Sequence, residues 1–211
     1  MIFDMDGLLL DTESLAQRSW QQAAGDCGFE LDDSLFLRLI GRTRRDSAEI
    51  LASAVGDGFR LDEFRTRCRV RWEEVIAIDG IPLKPGVVEL LDHLEAVGIG
   101  SAVATSTGFA SAERALEIAG VRERFPLLVT GDQVENGKPA QDIFLKASEL
   151  VAVAPAQCLV LEDSPYGIMA AHAAGAIPVM VPDLVAPTPE IERLAWRIVP
   201  SLHEVLELIR D

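Results

Sequence analysis

From Pro85 onward the chain repeats one pattern: a short, continuous apolar run, then an amphipathic helical stretch. The runs are SAVAT (101–105), PLLVT (126–130), CLVLE (158–162) and IPVMV (177–181). Helical periodicity fills residues 87–97, 109–119, 140–150, 165–174 and 201–210. Strands that are apolar throughout and alternate with helices are buried on both faces, which means a parallel sheet covered by helices. The opening MIF (1–3) belongs to the same sheet, so the fold class is α/β. Between Glu13 and Ile78 no good strand occurs. Helical stretches at 15–27, 44–55 and 61–76 are punctuated there by Gly28, Gly41, Gly56 and Gly58. DGIPLKPG (79–86) reads as the return linker. The expected organisation is a sheet core made of residues 1–13 and 79–211, with a helical domain of residues 14–78 inserted after the first strand. Two short connections between two domains predict a lid that opens and closes. PDLVAPTPE (182–190) reads as a Pro-rich loop.

The chain has 211 residues, enough for one large domain or two small ones. It is 49% hydrophobic and 25% charged, which fits a soluble globular protein rather than a disordered one. A net charge of −15 argues against nucleic acid or an anionic membrane as partner. RTRCRVRW (65–72) does not reverse this. On a helix, residues two apart point about 200° from each other, so no basic stripe forms. Cys27, Cys68 and Cys158 are far apart and lack a C-x-x-C pair, which excludes a disulfide framework or zinc site as the organising principle. No apolar run reaches membrane-span length and no signal peptide precedes Asp4, so a cytoplasmic monomer is the expectation. Only three residues precede Asp4, short for a central strand, and a few native residues are expected before Met1. Trp20 and Trp72 are expected to pack the helical domain and Trp196 the last sheet segment. His172 is expected on a helix surface or in packing.

In an open parallel sheet, ligands sit beyond the carboxyl ends of the strands. Four features fall at such ends. Asp4 and Asp6 follow the first strand. Thr105, with Ser106 and Thr107, follows the second. Lys138 lies in NGKP after the third. Glu162 and Asp163 follow the fourth. Carboxylates and carbonyls select a hard divalent cation such as Mg²⁺. A cation, a Lys and hydroxyl donors around one spot suit a phosphoryl group, and they supply the positive centre that the net charge lacks. Two carboxylates spaced i, i+2 at a turn that Gly7 permits can divide the labour. One attacks phosphorus while the other serves as acid and then as base. GDQVENGKP (131–139) is not a phosphate-binding P-loop, because five residues separate its glycines and Pro139 stands where Ser or Thr is needed.

These stretches identify a resemblance. FDMDGLLLDTE (3–13) resembles the first motif of the haloacid dehalogenase superfamily, and VATS, GKP and LEDSPYG resemble its second, third and fourth. The likeness spans essentially the whole chain, including a helical insert similar to the cap of the phosphatase and β-phosphoglucomutase branch. It implies a Rossmann-like parallel-sheet core with an inserted α-helical cap, and an Mg²⁺-dependent phosphatase. In that reading Asp4 is the nucleophile and Asp6 the general acid/base. Thr105 donates to the phosphoryl group, and Lys138 neutralises the charge. Asp4, the Asp6 carbonyl, Asp163 and Glu162 hold the metal, Glu162 either directly or through a metal-bound water. Gly7 and Ser106 contact the substrate. Arg44 falls where the family places a substrate-contacting Arg.

The resemblance leaves a mutase open, but it carries a contrary sign. β-Phosphoglucomutases place a His in the first cap helix that assists the acid/base Asp, and Ala16 stands at that position here. Asp6 argues against a dehalogenase, which lacks the second carboxylate. A receiver-like phosphoacceptor module uses similar residues, but the cap insert and the D-x-D disfavour it. The expected substrate is a small phosphorylated metabolite, a sugar phosphate or nucleotide-like phosphomonoester.

Overall fold

The computed structural model describes residues 1–40, 44–56 and 59–210. Six parallel strands form one sheet: β1 (Ile2–Phe3), β2 (Ala102–Thr105), β3 (Leu127–Thr130), β4 (Leu159–Glu162), β5 (Ile177–Met180) and β6 (Arg197–Ile198). Their order is β3-β2-β1-β4-β5-β6. β1 is central, and the order reverses beside it, so the ends of β1, β2 and β4 flank the crevice where ligands bind in such sheets. Every residue of β1 and β2 is buried, as a strand covered on both faces requires. One apolar cluster packs Ile2, Ala104, Val129 and Val160 against Ile143, Phe144 and Ala147. Elsewhere in the core, Phe3 and Phe125 meet edge to face.

Chain contacts divide the protein into two compact units. The sheet unit comprises Met1–Asp11 and Pro82–Asp211, and the helical unit Thr12–Ile81. The helical unit holds α1 (Thr12–Asp26), α2 (Asp33–Leu39), α3 (Arg44–Val55) and α4 (Leu61–Asp79). Its core is Ala23, Ala24, Leu35, Phe36, Leu51 and Phe64, with Trp20 edge to face on both Phe36 and Phe64. Arg71 of α4 grips Asp26 of α1 through two nitrogens at 2.7 and 2.6 Å. α2 has only seven residues, too few for periodicity to reveal it. Asp32 caps it by accepting from the Leu35 amide at 2.7 Å.

The sheet unit carries α5 (Val87–Val97), α6 (Phe109–Ile118), α7 (Asp142–Leu150), α8 (Pro165–Ala173), α9 (Pro189–Leu194) and α10 (Leu202–Arg210). The segment 182–190, expected as a Pro-rich loop, opens α9 at its end. Thr188 accepts from the Ile191 amide, and Pro189 occupies the first turn, where its missing N–H costs nothing. Trp196 also departs from expectation. It is 45% exposed and lies against the Arg197 guanidinium at 4.7 Å. His172 is exposed on α8. Among the described residues no helix is long and apolar enough to cross a membrane.

Candidate active site

The site is built from strand ends. The Asp4 amide donates to the Leu161 carbonyl at 2.9 Å, so the backbone of β4 fixes the first residue after β1. The chain then turns sharply. Leu9 and Leu10 amides donate to the Met5 carbonyl, both at 3.0 Å, and the Gly7 amide donates to the Leu10 carbonyl at 2.9 Å. Gly7 has φ +77°, and a Cβ there would stand 2.5 Å from Asp163 Oδ2. Both the backbone conformation and the close approach of β4's carboxylate therefore demand glycine.

Lys138 is the electrostatic centre. The sequence permits a solvated surface lysine, but the structure buries its side chain to 7% exposure. Its Nζ donates to Asp4 Oδ1 at 2.5 Å, to Glu162 Oε1 at 2.5 Å and to the Ala104 carbonyl at 3.1 Å. Three acceptors use all three donors of an ammonium group. The loop that delivers Lys138 is pinned by Asp142, whose Oδ2 accepts from the Asn136 amide at 3.1 Å and from Asn136 Nδ2 at 3.0 Å. Burial pushes the Asp4 carboxyl up to about 8; Lys138 pulls it down, while Glu162 and Asp6 add to the rise. Burial alone would lower Lys138, but the carboxylates of Asp4 and Glu162 outweigh it and hold the ammonium charged.

Glu162 is fully buried. Its Oε2 accepts from the Ser164 amide at 3.1 Å and hydroxyl at 2.9 Å, and Ser164 Oγ accepts from the Gly167 amide at 3.1 Å to cap α8. Ser164 thus ties the acidic strand end to the helix that follows. Gly167 is required here, since a Cβ would fall 1.8 Å from the Glu162 carboxyl carbon. Oxygens of Asp4, Glu162 and Asp163 lie within 4.8 Å of one another. Three carboxylates on two adjacent strands, with Gly7 leaving room at Asp163, are an all-oxygen donor set that fits a hard divalent cation.

The hydroxyl loop after β2 reaches Asp6. Thr107 Oγ1 donates to Asp6 Oδ2 at 2.7 Å, whereas Thr105 Oγ1 stands 3.4 Å from the same oxygen. Thr105 is 1% exposed and accepts from the Thr107 amide at 3.1 Å. Thr107, not Thr105, makes the close contact with Asp6. This loop is braced by β3: Gly131 approaches so closely that a Cβ would lie 2.3 Å from the Ser106 carbonyl oxygen. The Ser106 side chain is exposed. Arg44 begins α3, and its side chain lies outside the described residues.

So Asp4, Asp6, Gly7, Thr105, Lys138, Glu162 and Asp163 converge in the sheet unit. Thr107 enters with them from within the hydroxyl cluster. Sequence reasoning missed Ser164 and Asp142, although Ser164 before Pro165 is a readable helix cap. It also missed an ion pair between Lys84 Nζ and Asp183 Oδ1 at 2.8 Å.

The chain as a whole is similar to known proteins. Residues 1–181 match the family model described as haloacid dehalogenase-like hydrolase. A phosphorylated carbohydrates phosphatase of Thermotoga maritima is 35% identical over 175 residues, covering 83% of this chain and 81% of that protein. A Drosophila melanogaster protein assigned as a pseudouridine-5′-phosphatase is 37% identical over 190 residues, covering 86% and 80%. Among solved structures, a Thermotoga maritima protein assigned as a β-phosphoglucomutase superposes with a TM-score of 0.85 at 31% identity, covering 99% of this chain and 97% of that one. The chain belongs to the haloacid dehalogenase-like hydrolases. Within that family it is a phosphoric monoester hydrolase, the class of its named relatives.

Proposed function

We propose that this enzyme hydrolyses small phosphorylated metabolites, sugar phosphates or nucleotide-like phosphomonoesters, with Mg²⁺ and through a phosphoryl group carried on Asp4. The observation that carries the reading is the buried Lys138 ammonium, 2.5 Å from both Asp4 and Glu162. A buried cation aimed at a carboxylate beside a hydroxyl loop suits a group that arrives with negative charge on three oxygens. The similarity to phosphatases of carbohydrates and nucleotide-like compounds supports the substrate class.

The Asp4 carboxylate attacks phosphorus, and the bond from phosphorus to the ester oxygen breaks. Asp6 gives its proton to the departing oxygen. Asp6 then takes a proton from a water that attacks the same phosphorus, the bond to Asp4 breaks, and inorganic phosphate leaves. Thr107 orients the Asp6 carboxyl for both transfers. Lys138 offsets charge on Asp4 and on the phosphoryl oxygens. Asp4, Glu162, Asp163 and the Asp6 carbonyl would hold Mg²⁺, with Glu162 bound directly or through a water. The cation supplies Lewis-acid stabilisation of phosphoryl oxygen charge. Gly7 and Ser106 lie on the turns that face the phosphoryl group, and the inserted helical unit, with Arg44, selects the rest of the substrate.

The test is phosphate release from a panel of sugar phosphates, pseudouridine 5′-phosphate, nucleotides and phosphoglycolate, with Mg²⁺ or EDTA, for wild type and Asp4→Asn. Release that needs both Mg²⁺ and Asp4 is expected. Isomerisation of β-glucose 1-phosphate without release would make the enzyme a mutase, and release by Asp4→Asn would overturn the covalent route.

A further inference from the structure

Asp183 follows β5, next to β4 in the sheet, and takes no part in the chemistry above. Its side chain is 13% exposed. One oxygen, Oδ1, accepts from Lys84 Nζ at 2.8 Å. The other, Oδ2, is buried and has no hydrogen-bond partner among the described residues. A buried acceptor without a donor costs about 1–3 kcal/mol, and more when charged, so such an oxygen calls for an explanation.

Its position supplies one. The point where a Cβ on Gly7 would stand is 2.5 Å from Asp163 Oδ2 and 3.3 Å from Asp183 Oδ2. Two carboxylate oxygens from adjacent strand ends therefore approach one spot at the turn after β1. Asp183 is not among the three carboxylates whose oxygens gather within 4.8 Å, which places it outside the direct donor set. Mg²⁺ keeps several of its waters when a protein binds it, and those waters are donors that need acceptors. Groups just outside the ligand set hold the ligands in place.

We propose that Asp183 is a positioning residue for the metal site: its Oδ2 accepts a hydrogen bond from a water carried by the cation that Asp163 ligates, and Lys84 fixes the carboxylate in that orientation. The inference rests on the Mg²⁺ reading given above. The competing role is purely mechanical, an ion pair that fastens the loop after β5 to the segment holding Lys84.

The experiment uses EDTA-stripped full-length wild type, Asp183→Asn and Asp183→Ala. Each is titrated with MgCl₂ by calorimetry, and each is melted in EDTA and in saturating MgCl₂. Asn keeps the volume and an oxygen for Lys84 but turns an N–H toward the water. Both variants are expected to bind Mg²⁺ about 10–100-fold more weakly. The rise in Tm that Mg²⁺ gives wild type should shrink correspondingly at a fixed concentration. If Asp183→Ala does not fold, Asp183→Asn carries the test. Wild-type affinity in the variants, within twofold, overturns the proposal even if their Tm in EDTA has fallen. A wild-type protein that binds no Mg²⁺ overturns the metal reading itself, and this inference with it.

Discussion

Lys138 and Asp4 stand 134 residues apart in the chain, and their ammonium and carboxylate oxygen stand 2.5 Å apart in space. The second carboxylate on the same nitrogen, Glu162, is fully buried. Deleting one partner of such a group leaves uncompensated charge, which costs about 3–5 kcal/mol. Lys138→Met should therefore lower stability in EDTA markedly, and Mg²⁺ should restore part of it by neutralising the same carboxylates. Turnover should fall at least 10²–10³-fold, about the loss for one preorganised charge donor. Thermal melts with and without Mg²⁺, beside single-turnover kinetics, check both halves.

The raised pKa of Asp4 has a signed consequence. Its folded value, about 8, lies above the ordinary value of 3.8. Between those values the folded, metal-free protein binds the extra proton, so Asp4's stabilising contribution is complete near pH 4 and is lost as pH rises toward 8. Asp4→Asn stays neutral throughout. In EDTA, the Tm difference between wild type and Asp4→Asn should decline from pH 4 to pH 8. Saturating Mg²⁺ should flatten that decline, since the cation favours the carboxylate. A difference independent of pH would remove burial as the dominant influence on Asp4.

Thr107 makes the short hydroxyl contact with Asp6, at 2.7 Å. Thr107→Val keeps the branched shape and deletes the donor. Hydrogen bonds to charged groups contribute about 1.5–3 kcal/mol, so kcat should drop about tenfold or more with little change in KM. An unchanged kcat would assign Thr107 to loop structure alone.

Gly167 lies where α8 meets the Glu162 carboxyl, and a methyl group there overlaps it at 1.8–2.1 Å. Gly167→Ala should push Glu162 off Lys138. Activity should fall more than tenfold and Mg²⁺ affinity should weaken, while the far-UV spectrum stays native. A crystal structure of the variant with Glu162 in place and full activity would contradict this.

Much of the site was legible in the sequence because an α/β sheet delivers residues at predictable places. Asp4, Lys138 and Glu162 each close a continuous apolar strand or the loop just after one, so spacing alone brings them to one edge. What escaped depended on turn geometry. The resemblance singles out Thr105 as donor to the phosphoryl group, but nothing in the sequence says which hydroxyl of the cluster meets Asp6; the course of the loop brings Thr107 to 2.7 Å. Asp183 sits in a Pro-rich stretch without periodicity, and its pairing with Lys84 joins residues 99 apart. α2 is too short for a periodic signal, and the two-residue β6, both residues exposed, offers no apolar run at all. An aromatic next to a strand usually packs, but Trp196, just before that edge strand, is half exposed and lies against Arg197.

The segments flanking the helical insertion are joined in a small ribbon. Leu10 pairs antiparallel with Leu83, the Lys84 amide donates to the Leu9 carbonyl at 2.9 Å, and the Asp11 amide donates to the Pro82 carbonyl at 2.9 Å. The chain therefore leaves and re-enters the sheet unit through a single doorway, and everything between is, to that unit, one long loop. Closing a loop depends only weakly on its length, with each doubling costing about 0.6 kcal/mol. Selection could thus lengthen, shorten or exchange the insert without rebuilding the strand ends that carry the reactive groups. To the sheet unit, the insert is a passenger whose length and sequence can change while the doorway stays the same.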